Sequence, residues 1–158
     1  MSLLFAALIG WQVQQHIPYQ LCQLEHTNLF VGDWDRFVPF LERMGGIGRW
    51  LGTWGIQFFN EKITGAAAFA VPVILLFVAM AGLLRSPGKE MCVWIPWATG
   101  VSVCQLLSLY DHNFYWWGAL SMALALAGLW LVSLCRPSVR SWLFLAGIPV
   151  VTWGLGAV

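Results

Sequence analysis

Residues 63–84 read ITGAAAFAVPVILLFVAMAGLL, an apolar run with no Asp, Glu, Lys or Arg. A bilayer hydrocarbon core about 30 Å thick is crossed by a helix of about 20 mostly apolar residues. One charge at the centre of such a helix would cost roughly 2.5–3.5 kcal/mol. The stretch therefore predicts a transmembrane helix. Three more charge-free stretches follow, from Met91 to Leu109, Trp116 to Leu134 and Trp142 to Val158. Upstream, Met1 to Val13 is apolar but short for a span, and Gln12, Gln14, Gln15 and His16 end it. No cation precedes it and no convincing small-x-small cleavage site follows, so it reads as a first membrane helix rather than a signal peptide.

The fold class expected is all-α: a polytopic transmembrane helix bundle of about five spans with two short interfacial helices in the first outer loop. It forms a single domain over residues 1–158, with 1–16 as the first helix, 17–62 as the outer loop and 63–158 as four further spans. Composition agrees. The chain is 59% hydrophobic and 9% charged, where a soluble domain is about a quarter charged. A net charge of +1 supplies no basic footprint for nucleic acid. Several of the 11 tryptophans stand at span edges (Trp94, Trp97, Trp116, Trp117, Trp130, Trp142, Trp153), where indole rings favour the headgroup layer. Cys22, Cys92, Cys104 and Cys135 make no CxxC pair and have no His at ligand spacing, so they read as small apolar packing residues.

The short connections set the orientation. Arg85-Ser-Pro-Gly-Lys89-Glu90 and Arg136-Pro-Ser-Val-Arg140 each hold two cations, whereas Tyr110-Asp-His-Asn-Phe114 holds none. Short loops rich in Lys and Arg stay cytoplasmic. The N-terminus is then cytoplasmic, residues 17–62 lie on the outer side, and a helical rather than barrel chain belongs to an inner, cytoplasmic membrane. Trp142 to Val158 ends without a polar flank, as a chain cut inside or just after a helix would.

Within the outer loop, Asp33 is placed to cap a helix starting at Trp34. Trp34, Phe37, Val38, Leu41 and Met44 then share a face, interrupted by Pro39, and Gly45-Gly46 ends the helix. Ile47, Trp50, Leu51, Trp54 and Phe58 form a second stripe, while Gly48, Gly52 and Gly55 weaken helix propensity by up to about 1 kcal/mol each. These two helices either lie in the outer interface or pack as a lid on the ends of the spans.

Helices in lipid associate through close backbone approach. Ala119, Ala123 and Ala127 recur every fourth residue, and Gly65 to Ala68, Ala79, Ala81 and Gly82 supply small residues to the 63–84 helix. These two helices are the best candidates for tight pairs. Polarity well inside the spans is confined to Thr99, Ser102, Gln105 and Ser121.

The topology gathers Glu25, His26, Asp33, Asp35, Asp111 and His112 near one membrane surface. Carboxylates with imidazole suit a divalent cation, which makes His26, Asp111 and His112 the metal candidates. Glu25, Asp33 and Asp35 are the catalytic candidates, as general bases. The simpler reading is a capping residue and a polar turn.

Glu25 to Phe30, Phe37 to Leu41, Gly45-Gly46-Ile47, Leu51, Gln57-Phe58-Phe59 and Gly65 together resemble the N-terminal region of an uncharacterised family of multi-spanning membrane proteins from Bacteroidota. The resemblance covers about the first 80 residues, and Met44 stands where that family has Pro. It implies that the chain is similar to the amino-terminal third of a longer protein. More distantly, the layout resembles multi-spanning glycosyltransferases that use lipid-linked sugars. By position, that implies acidic roles for Glu25, Asp33 or Asp35, with a divalent cation as cofactor only in that case.

The leading expectation is a non-catalytic helical membrane protein whose partners are membrane lipids, other membrane helices or a second copy. The alternatives are the membrane part of a transferase using a polyprenyl-phosphate-linked sugar, and a small transporter or channel. The chain is expected to stay with the membrane fraction after an alkaline carbonate wash. Recovery as a monodisperse species without detergent would contradict it.

Overall fold

The structure is a computed structural model that describes residues 8, 11, 34–60, 62–85, 91–109 and 115–156. Helices and their connections account for all of these, with no strand among the described residues. In chain order they are α1 (Trp34–Leu41), α2 (Gly46–Ile56), α3 (Lys62–Leu84), α4 (Met91–Ser108), α5 (Trp116–Ser133) and α6 (Pro137–Leu155). A 3₁₀ turn at Gln57–Asn60 joins α2 to α3. Leu8 and Trp11 are helical, and the rest of the expected first helix lies outside the described residues. Ile63–Leu84, Trp116–Ser133 and Pro137–Leu155 are long and apolar enough to cross a membrane. α4 is charge-free as well.

The long helix α3 is the hub. It packs most extensively on α5 and next on α4. The two helices whose small residues made them candidates for tight packing thus pack on each other. Ala66, Phe69, Ala70 and Val73 of α3 meet Trp116, Ala119 and Leu120 of α5 in one buried cluster, joined by Leu109 after α4. Near the other end of the pair, Gly82 leaves the space into which the Trp130 indole fits. Early residues of α3 thus meet early residues of α5, and late meet late, so the two helices run parallel. Arg85, Arg136 and Arg140 consequently share one end of the bundle, and α2 lies at the other. Pro72, Pro96 and Pro149 sit inside helices without ending them. Each removes one backbone donor, a loss that neighbouring helices make tolerable.

Three sequence expectations are corrected in detail. The last span begins at Pro137 rather than Trp142, because proline's fixed φ suits the first helical position. Arg140 therefore belongs to the first turn of α6, where its guanidinium donates to the carbonyls of Ser133 (2.7 Å) and Cys135 (3.3 Å). A cation at these carbonyls answers the acceptors that the end of α5 leaves open. Pro39, which interrupts the apolar face, does not delay the start of α1, since the helix runs Trp34–Leu41 with that proline inside. Trp116 does not sit exposed at a span edge; it is buried, with its ring edge-on to Phe59 at 6.0 Å.

Helix α2 packs through part of its apolar stripe and through its glycines: Leu51 lies on the buried cluster and Trp50 meets Phe37. Gly48, Gly52, Gly55 and Ile56 are buried, while Trp54 and Phe58 are exposed. A Cβ added at Gly48 would fall on Ser121 Oγ, one at Gly52 on Trp117 Cβ, and one at Gly55 on the Trp116 ring. The glycines that weaken this helix as an isolated segment are what let its backbone lie against α5. The lid alternative describes this packing.

Gly52→Leu and Gly48→Val are expected to destabilise the protein, since overpacking costs about 1–3 kcal/mol per site. Gly118→Ala, whose Cβ would meet nothing within 4 Å, is the matched control. Unfolding midpoints in mixed micelles measure both, and equal midpoints for Gly52→Leu and Gly118→Ala would refute the contact.

Candidate functional site

The α2 end carries the densest set of unusual local features. Gly45, which precedes α2, has φ of 75°, a left-handed conformation that suits glycine. Its N–H donates to the Trp153 carbonyl on α6 at 2.8 Å. In return the Trp153 indole Nε1 donates to the Leu41 carbonyl at 3.0 Å, satisfying an acceptor at the end of α1. Gly156, also at positive φ, approaches Gly45 so closely that a Cβ on Gly45 would lie 3.3 Å from its Cα. The far end of α6 is thus fastened to the α1–α2 turn. Phe37 of α1 meets Trp50 of α2 edge-on at 4.8 Å. Arg49 lies 5.0 Å over the Trp117 ring, and Trp117 stacks on Tyr115 at 6.3 Å.

Beside this junction is a cleft of about 420 Å³, roofed by α2 and the 3₁₀ turn and walled by α3 and α5. Leu51, Trp54, Phe58, Val71, Leu120 and Leu124 line it. Its concavity comes from small residues, Gly55 on the roof and Ala67 and Ala68 on the wall. Thr64 is the hydroxyl residue of the lining, and its Oγ1 donates to the Phe58 carbonyl at 2.8 Å.

Polar groups inside the helices mostly satisfy themselves. Ser102, Ser108 and Thr152 each donate to the carbonyl four residues back, as hydroxyls in apolar surroundings do. Two differ. Gln105 Nε2 and Ser121 Oγ are buried with no hydrogen-bond partner among the described residues. Ser121 lies under Gly48 of α2. Gln105 shares the buried face of α4 with Ala98 and Ser102.

Of the residues singled out in the sequence, Glu25, His26, Asp33, Asp111 and His112 lie outside the described residues, and Asp35 is placed only as a backbone position in α1. Among the described residues no group of three His, Cys, Asp or Glu is arranged to hold a metal ion. Cys104 is a free, exposed thiol and Cys135 a free, half-buried one. Sequence reading missed the cleft and the α6 fastening. The small residues Gly55, Ala67 and Ala68 were the available signal for the first. Nothing local marked the second, which joins residues more than a hundred positions apart.

A family model described as a family of unknown function (DUF6057) matches residues 1–158, extending past the first 80 residues that carry the sequence resemblance. No curated protein matches the chain, and no solved structure does.

Gln105→Met keeps the bulk and deletes the buried amide. An unsatisfied buried polar group costs about 1–3 kcal/mol, so the variant is expected to be at least as stable as the parent. A lower unfolding midpoint in micelles would show instead that the amide is engaged.

Proposed function

The chain belongs to this family of unknown function, and from that premise we propose that it is a multi-pass helical protein of the inner membrane, acting as a non-catalytic membrane module. One observation carries the reading. Three helices long and apolar enough to span lie side by side, and the cations of their connections collect at one end. The arginine end, with Arg85, Arg136 and Arg140, faces the cytoplasm by the preference of cation-rich loops for that side. The α2 end then lies on the outer side, with Trp54 and Phe58 at headgroup depth.

The partners proposed are membrane lipids and further membrane helices, including those of a second copy. Support comes from α6, which is exposed along most of its length, with Trp142 at 74% and Leu145 at 64%. Such a surface is suited to lipid or to another helix rather than to water. Membership of a Bacteroidota lineage remains part of the same proposal and rests on sequence resemblance. The transferase and transporter alternatives draw on no geometry among the described residues, and catalysis forms no part of the proposal.

The orientation is tested by single cysteines in a cysteine-free background. Met44→Cys, at an exposed position by α2, is expected to react with a membrane-impermeant maleimide on intact cells. Ser138→Cys, at the arginine end, is expected to react only after permeabilisation. The reverse pattern overturns the orientation, and equal reaction at both sites overturns the membrane placement.

A further inference from the structure

We propose that the cleft between α2, α3 and α5 binds one acyl chain of a membrane phospholipid. The inference deepens the membrane reading above and rests on it. Its first support is the chemistry of the wall. The lining carries no charged side chain, and its polar side-chain groups are the Thr64 hydroxyl and the indole N–H groups of Trp54 and Trp116; Thr64 already donates to the Phe58 carbonyl. Almost all of the exposed wall is carbon, so the occupant it suits is apolar along the inserted length. A site with too few polar partners does not hold water well.

Shape narrows the class. The wall on α5 runs from Trp116 through Leu120 to Leu124, about 12 Å along the axis at 1.5 Å per residue. The wall on α3 runs in parallel from Thr64 to Val71. The cleft is therefore a slot directed along the spans, the direction an acyl chain takes in a bilayer. A transmembrane helix is about 10–12 Å across with its side chains, so only some of its side chains would enter a cleft of about 420 Å³. An extended peptide would bring backbone N–H and C=O groups that the wall leaves unpaired, each costing several kcal/mol in an apolar setting. A hydrocarbon chain has neither difficulty.

The surroundings supply the source. Ile63, Ala67 and Val71 are exposed on the flank of α3, so the slot is continuous with the surface that meets lipid in a spanning helix. At its mouth Trp54 and Phe58 stand edge-on at 5.1 Å, on the α2 side where a lipid's head would emerge. An indole belongs at that depth.

The test uses the full chain in detergent with a phospholipid that carries a diazirine midway along one acyl chain. Photolysis is followed by peptide mapping, with and without excess unlabelled phospholipid. Label is expected on the Leu51–Phe58 and Ala67–Val71 segments and is displaced by the competitor. Ala68→Phe, which fills the slot, and Val71→Trp, at its lip, each reduce that label to the level found on α6, and using two positions guards against misfolding at either. Label spread evenly over the cleft and the Trp142–Leu145 face, unmoved by both variants, overturns the site while leaving the membrane reading standing. A chain that stays in solution without detergent and takes no label overturns both.

Discussion

The approach of α2 to α5 is the contact on which the rest of the α2 end depends. Gly48, Gly52 and Gly55 place the α2 backbone directly over Ser121, Trp117 and Trp116. With that separation fixed, Trp116 is covered and joins the cluster built by Ala66, Phe69 and Ala70. The Gly45 turn is then brought to Trp153, and the end of α6 is held. In a bilayer no hydrophobic exclusion draws helices together, so dispersion between closely fitted backbones has to do it. Helix propensity is given up along α2 to obtain that fit.

The two ends of the bundle are built on different principles. At the α2 end, aromatic rings and glycines interlock, Arg49 lies over the Trp117 ring, and the hydrogen bonds come from backbone, indole and threonine donors. At the other end, arginines stand close to the helix termini, and Arg140 answers carbonyls released where α5 stops. Between these ends α6 is secured at its two extremities, by the short Leu134–Arg136 connection and by the Gly45–Trp153 bonds. Its middle remains open, beside a second cleft of about 270 Å³ flanked by Gly128 and Gly147.

The acyl slot and the glycine contact have a common origin. Both arise because α2 and the start of α3 are rich in Gly and Ala. Where a small residue faces a neighbouring backbone, as at Gly52, the space closes. Where it faces outward between two helices, as at Ala67 and Ala68, the space stays open. Residue size alone does not distinguish the two outcomes, since the position of the partner helix decides between them.

Charge and hydropathy determined the helical class and the bounds of α3, α4 and α5 to within a residue or two, and small residues marked α3 and α5 as the helices suited to close packing. These follow from local rules: a charge-free run must be helical to satisfy its backbone in lipid, and small residues at every fourth position present one face. The start of α6 was misread because Arg140 was counted as loop, although a first-turn arginine can reach back to the preceding helix. The face of α2 was left open between interface and lid, because apolar periodicity reports which side chains are greasy, not which side lies against a neighbour. Only the tertiary structure decided that its glycine side is buried and its Trp54 side exposed. It alone brought Trp153 to Leu41 across the length of the chain, because contacts so remote in sequence leave no periodic trace.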